Sequence, residues 1–462
     1  MSADPVRPTE ILASWASTLA ADEIPDRIRE RTAQLLLDTV ASAIAGRHGD
    51  ETAQIESVAR QVAAGDEATV LGAGRLSRFG AALVNGYQVT AVTVCDVYRP
   101  NLCHVTPEVI PPALAVAERR GVSGRDLVTA LAIGLETTVR VGVGIHYAAF
   151  RERGWHSPGV IGPFGGAAAA GRLLGLDPER MRWALGIAGS QAAGTFAHWG
   201  TPTIKFHQAR GSVAGLLAAT LAEQGFRAAD EILATPDGGI FVSYSDGGDP
   251  AAVVDRLGEH WELERISLRL WPTASSIQGV VSAVFDLVNE HDLRPDDVER
   301  MRIRLSDTVY RLHGEMRYDD RFRALLSTRW SAAVVLHDRR CWLDQFTPER
   351  IADPALRDFA ANRIEVSADP EMPVNGAGIE VTLRDGRRLS VRRDVPHGDA
   401  DDPLSLDEVI DKFQSACEGI LPRERVERGI ELLLNIETVE DVDEILAQLA
   451  EETRLPESHG PA

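Results

Sequence analysis

Residues 78–171 read as successive helices built largely on alanine and glycine, and this constrains the fold more than any other feature of the chain. Residues 113–118 (Ala-Leu-Ala-Val-Ala-Glu) and 127–133 are strong helix text, and residues 162–171 continue in the same small-residue style. Helices approach one another to a distance set by the side chains between them. Small side chains at this density therefore predict closely packed helices. A glycine-rich run also occurs in dinucleotide sites, but Gly-x-Gly-x-x-Gly is absent and no strand precedes residue 162, so packing is the better reading.

The flanking segments extend this helical pattern. Residues 9–46 read as two helices, the second opening at Ile24-Pro25, where proline suits a helix start. Residues 52–64 give another helix and residues 68–71 a short extended piece. In residues 211–224 the apolar positions Val213, Leu216, Leu217 and Leu221 have helical spacing. The character changes near residue 262. Residues 264–270 are strand-like, 275–291 helical, and 298–305 alternate apolar with charged side chains, the pattern of a half-buried strand. Residues 325–337 return to helix, 363–366 and 378–383 read as strands, and Asp385-Gly386 supplies a hairpin turn into residues 388–391. Residues 405–449 are helical again. The expected fold is mainly α: a large all-helical domain built from both chain ends (1–262 and 405–462) with a smaller α+β lid domain (263–404) inserted. The cleft between them is the natural place for a ligand.

At 462 residues the chain suits two or three domains. Its formal net charge of −21 argues against a nucleic-acid surface, which needs a basic footprint. The same charge repels anions at long range, so an acidic ligand requires a local cluster of cations. Four cysteines, Cys95, Cys103, Cys341 and Cys417, form no Cys-x-x-Cys pair, which disfavours a zinc knuckle and suits a reduced cytoplasmic protein. The polar start of the chain is not a signal peptide, and no apolar run of about 18 residues predicts a membrane span.

Several segments together resemble one family. In the C-terminal half, "VSADPEM" (366–372), "IEVTLRDGR" (379–387) and "VPHGDADDPLSLDEVIDKF" (395–413) occur in order. In the helical half, "LVNGYQVTAVTVCDVY" (83–98), "GWHSPGVIGPFGGAAAAGRLLGL" (154–176) and "TPTIKFHQAR" (201–210) follow suit. This pattern resembles the MmgE/PrpD family, which includes 2-methylcitrate dehydratase and cis-aconitate decarboxylase. The resemblance implies a homodimer of helical domains with α+β lids, acting on a small carboxylic acid without cofactor or metal.

Dehydration beside a carboxylate needs a base for the C–H proton, an acid for the departing hydroxyl, and positive groups for the carboxylates and the developing charge. His104, His156, Lys205 and Asp96 are the catalytic candidates. His104 aligns with the family's active-site histidine, His156 sits among glycines that admit a ligand, and Lys205 lies at or beside the family's lysine. Asp96 is the one carboxylate of "TVCDVY"; it suits acid–base work, a helix cap, or pairing with Arg99. Lys205, His207 and Arg210 fall within six residues and form the best local anion cluster. His207, Arg210, Arg269, Thr93 and Trp330 are the substrate-binding candidates. Three of these depart from the family pattern: Thr93 stands where it has an aspartate, Arg269 where it has a lysine, and Trp330 where it has a tyrosine. Arginine keeps the charge but donates protons poorly. The resemblance implies a dehydratase; an isomerase, epimerase or decarboxylase on a related acid, or a catalytically reduced metabolite-binding relative, are the alternatives.

Overall fold

A computed structural model describes residues 6–450. The molecule is mainly helical. Helices Pro8–Thr18, Asp26–Ala45, Thr52–Val62, Arg78–Ala91, Thr106–Ala117, Gly124–Gly144, Ser157–Leu173, Pro178–Ser190 and Thr203–Glu223 fill the first half. Their starts are written locally. Ser77 accepts from the Gly80 N–H at 3.1 Å and Asp177 from the Arg180 N–H at 2.8 Å, which satisfies donors that the first turn leaves free.

The small residues do what the sequence suggests. Helix Ser157–Leu173 packs against both Gly124–Gly144 and Thr203–Glu223. A Cβ added at Gly165 would lie 1.9 Å from Thr138 Oγ1 and 2.3 Å from the Gly134 carbonyl oxygen, so only glycine permits this approach. Gly124–Gly144 is long and apolar enough to cross a membrane, yet it is packed inside the core.

Apolar side chains gather in two main cores. The larger takes residues from Leu12 to Leu268 together with Trp342 and residues from Leu404 to Leu449. The second runs from Trp271 to Leu383. It covers a four-stranded sheet made of β1 (Val298–Leu305), β2 (Ile364–Ala368), β3 (Ala377–Leu383) and β4 (Arg388–Arg393), in the order β2-β1-β3-β4. The β1–β2 pair is parallel, and the β1–β3 and β3–β4 pairs are antiparallel. Met301, Ile303 and Leu305 are buried while Arg300 and Arg302 face solvent, as the alternation predicts. Helices Gln278–His291 and Thr328–Asp338 cover the apolar face.

One expectation is corrected. Residues 264–270 do not form a strand of the sheet. Only Ile266–Ser267 pairs, antiparallel with Val97–Tyr98 in the helical half, and the side chains of Leu263, Ile266 and Leu268 enter the larger core. This short tie sets Arg269 beside residues 93–96. Further on, helices Leu406–Cys417, Arg423–Leu434 and Asp443–Leu449 return to the larger core. Lys412 reaches Asp38 there, in a fully buried ion pair at 2.5 Å.

Candidate active site

Residues from both halves of the chain meet around a partly open cavity of about 110 Å³. Thr93, His104, His156 and Lys205 line it from the helical half, and Arg269 lies at the crossing between the cores. Ser275, Ser276, Thr308 and Asn375 reach it from the second half. Most of the remaining wall is apolar or aromatic, including Trp155, Phe196, Trp199, Leu312 and Phe322. No carboxylate lines it among the described residues.

His104 follows the short pair Val97–Tyr98, and its Nδ1 lies 2.6 Å from the Asp96 carbonyl oxygen. A carbonyl only accepts, so Nδ1 carries the proton and Nε2 keeps its lone pair for the cavity. Burial, with help from the nearby Arg269, pushes the His104 pKa down to about 3, so the ring is neutral. An anionic ligand that neutralises Arg269 removes part of that penalty and makes Nε2 more basic.

His156 precedes the helix Ser157–Leu173 and is fixed by its own N–H, which donates to the Gly194 carbonyl at 3.0 Å. Its Nδ1 meets Nδ1 of His207 at 3.0 Å, so one of the two nitrogens donates. Burial first, then His207, holds the His156 pKa well below the usual histidine range. His207 thus stands behind His156 and does not line the cavity.

Lys205 enters from the first turns of Thr203–Glu223. Its ammonium donates to the Ala91 carbonyl and sits 4.5 Å from the centre of the Phe322 ring. Burial lowers its pKa to about 8. Arg269 donates through Nε to the Cys95 carbonyl, through Nη1 to the Thr273 carbonyl at 3.1 Å, and through Nη2 to Cys95 Sγ at 3.0 Å. These contacts use three of its five N–H groups and leave one on each terminal nitrogen for a ligand. Thr93 holds a left-handed backbone at φ 56°, and its buried hydroxyl has no partner among the described residues. Such strain costs roughly 1–3 kcal/mol and gathers where a site demands it.

Four sequence candidates stand off the cavity. The Asp96 carboxylate accepts from the Val105 N–H at 2.8 Å, the Thr106 N–H at 3.2 Å and the Thr106 hydroxyl at 2.6 Å. It clamps the start of helix Thr106–Ala117 and pairs with no arginine, since Arg99 meets Asp399. Burial still raises its pKa to about 6. Arg210 spends its guanidinium on the carbonyls of Gln191, Gly159 and Ala193. Trp330 is fully buried, stacks with Tyr318 at 5.3 Å and donates from Nε1 to the Gln345 carbonyl at 3.1 Å. His207 is the fourth. The cluster of Lys205, His207 and Arg210 is dispersed because successive helical residues turn by about 100°, so positions two and five apart face elsewhere.

Sequence reasoning passed over Tyr147, Ser276, His313 and Asn375. Ser276 follows Arg269 within "RLWPTASS", and that proximity is the one signal available for it. Burial pushes the cavity-lining Tyr147 phenol up to about 12.

Residues 10–252 match the family described as MmgE/PrpD N-terminal domain, and residues 271–438 match MmgE/PrpD C-terminal domain. The chain is similar to the cis-aconitate decarboxylase-like protein oryM of Aspergillus oryzae, at 28% identity over 96% of this chain and 97% of that protein. It is also similar to the cis-aconitate decarboxylase of Aspergillus terreus, at 26% over 96% and 95%, and to that of Homo sapiens, at 28% over 98% and 97%. With the two domain matches together spanning most of its length, the chain belongs to the MmgE/PrpD family.

Proposed function

We propose that this chain is a lyase that removes a proton beside a carboxylate of a small hydroxylated carboxylic acid and expels water. One observation carries the reading: a neutral His104 with a free Nε2 and a buried Lys205 ammonium share one cavity. His104 serves as base. Lys205, near its own pKa of about 8, serves as proton donor to the leaving hydroxyl. Arg269 holds a carboxylate, and the Thr93 hydroxyl is free to hydrogen-bond it. Low-polarity walls strengthen these charges because little water competes with them. His156, tied to His207, supplies a second neutral imidazole.

A second reading, decarboxylation, is favoured by similarity to proteins named cis-aconitate decarboxylase and by the apolar lining, which destabilises a bound carboxylate relative to departing carbon dioxide. Both reactions pass through a carbanion-like intermediate, but dehydration takes a proton from carbon and gives one to the departing hydroxyl, whereas decarboxylation releases carbon dioxide and delivers a proton to the carbon it leaves. In this proposal the α+β unit, residues 263–404, acts as the lid, and two copies assemble as a homodimer.

Incubation with di- and tricarboxylic acids in deuterated water, read by NMR, separates the outcomes. Water loss with a new C=C bond selects dehydration, and evolved carbon dioxide with deuterium at the carbon that loses it selects the second reading. Exchange or product that survives in both His104→Gln and Lys205→Met defeats the assignment of these groups.

A further inference from the structure

The second half of the chain brings a polar group to the cavity that the proton chemistry above does not use. Ser276 lies in the turn Ser275–Ile277 at the cavity wall. Its Oγ is 2.8 Å from Nε2 of His313. His313 is completely buried in a π-helical turn, Tyr310–Gly314, and its Nδ1 lies 2.8 Å from the Leu326 carbonyl oxygen. Single π turns of this kind cluster at functional positions. The Trp199 ring closes over the imidazole edge-on at 5.5 Å.

The order of donors follows from these contacts. The Leu326 carbonyl only accepts, so Nδ1 of His313 carries the ring proton. Burial keeps the ring neutral, its pKa lowered to about 4, so Nε2 has a lone pair and no proton. The short contact then requires the Ser276 hydroxyl to donate to Nε2. With its only proton committed, the serine oxygen turns lone pairs alone toward the cavity.

We propose that Ser276, held by His313 and the Leu326 carbonyl, is an acceptor-only oxygen that selects ligands bearing a hydroxyl and disfavours a carboxylate at that place. An ordinary serine rotates to suit either partner; this one cannot donate without breaking its bond to the imidazole. The proposal rests on the carboxylic-acid reading above and narrows it. Ser276 determines specificity, and His313 positions it.

Calorimetric titration of the full chain with matched pairs tests this, using malate against succinate and citrate against propane-1,2,3-tricarboxylate. The hydroxylated member of the bound pair is expected to bind about 10-fold tighter, the worth of one well-made hydrogen bond. Ser276→Ala should bring that ratio to about 1 and leave the deoxy member's Kd unchanged, whereas Ser276→Thr should restore the preference. Equal weakening of both members by Ser276→Ala, or an unchanged ratio, overturns the proposal alone. If no hydroxy acid binds, both the proposal and the lyase reading fall. Nitrogen NMR of labelled histidine gives a check without ligand: a proton found on Nε2 of His313 at neutral pH also overturns it.

Discussion

Lys412 is 374 residues from Asp38 in sequence, yet its ammonium donates to Asp38 Oδ1 at 2.5 Å, to the Val94 carbonyl at 2.7 Å and to the Arg269 carbonyl at 3.0 Å. Both side chains are buried, and burial pushes the Asp38 pKa up and the Lys412 pKa down. Lys412→Met keeps the bulk and removes the charge, leaving Asp38 without its counter-ion. Breaking one side of a buried pair costs about 3–5 kcal/mol. Adding Asp38→Leu removes the stranded carboxylate, but the Val94 and Arg269 carbonyls still lack their donor, so a deficit of about 2 kcal/mol should persist. Urea unfolding of the wild type and both variants measures this through the midpoint of the first transition. The sign with pH follows from linkage. Without Lys412 the Asp38 pKa rises further, so the folded variant binds protons that the unfolded chain releases above about pH 4. Its stability then falls as pH rises, and the gap to wild type should widen from pH 5 to pH 8. Equal losses in the single and double variants, or a gap independent of pH, would refute the claim that a stranded carboxylate carries the cost.

Three further outcomes are expected. In the proposed mechanism Lys205 acts in its protonated form with a pKa of about 8, so kcat/KM should fall as pH rises through 8; Lys205→Arg should be at least about 100-fold slower and lack this limb, since arginine stays charged. Gly165→Ala forces a Cβ to within 1.9 Å of Thr138 Oγ1 and should cost about 1–3 kcal/mol in thermal unfolding, whereas Gly74→Ala, with open space around it, should stay within about 0.5 kcal/mol. Glu108 is fully buried with both carboxylate oxygens unpartnered among the described residues, and burial raises its pKa well above the usual range. A raised carboxyl pKa contributes stability that is lost as pH rises above about 4.3, the unfolded value, so Glu108→Gln should gain on wild type between pH 5 and pH 8; parallel melting curves would argue for an ionised Glu108.

The parts of this molecule that the sequence shows are those governed by neighbours along the chain. Helix Asp26–Ala45 and strand β1 follow from periodicity, and the turn at Gly386, φ 88°, follows from its residue type. Five site candidates, Thr93, His104, His156, Lys205 and Arg269, do meet at one cavity, because the resemblance carried long-range information that no local pattern holds. What stayed hidden depends on side-chain direction and on distant partners. Trp330 has the size and position of a pocket residue, but its helix turns it into the second core. Arg210 looks like an anion ligand until three backbone carbonyls claim it. Residues 264–270 carry strand composition, yet their pairing partner, Val97–Tyr98, is only two residues long. Ser276 and His313 are unremarkable apart and acquire meaning only at 2.8 Å.

The net charge of −21 posed the question of how such a chain would hold an anion. The cavity answers it by composition: its lining contributes Lys205 and Arg269 and no carboxylate among the described residues. Surface charge acts through solvent and is screened over about 8 Å at physiological salt. Two cations among apolar and aromatic walls act through a medium of lower dielectric, where the same charges attract several-fold more strongly. Asp96 and Glu108, the acidic groups buried nearby, are kept from opposing them in different ways. Asp96 spends its oxygens on the start of helix Thr106–Ala117, and burial favours the neutral form of Glu108. Charge of one sign therefore governs the cavity while the other sign governs the surface. In the proposed chemistry the residues that move protons, His104 and Lys205, come from the helical half, whereas the Ser276 oxygen proposed to read the ligand comes from the second half. Substitutions in the second half can thus change which acid fits without altering how its proton is removed, which gives this architecture a route to new substrates under a fixed chemistry.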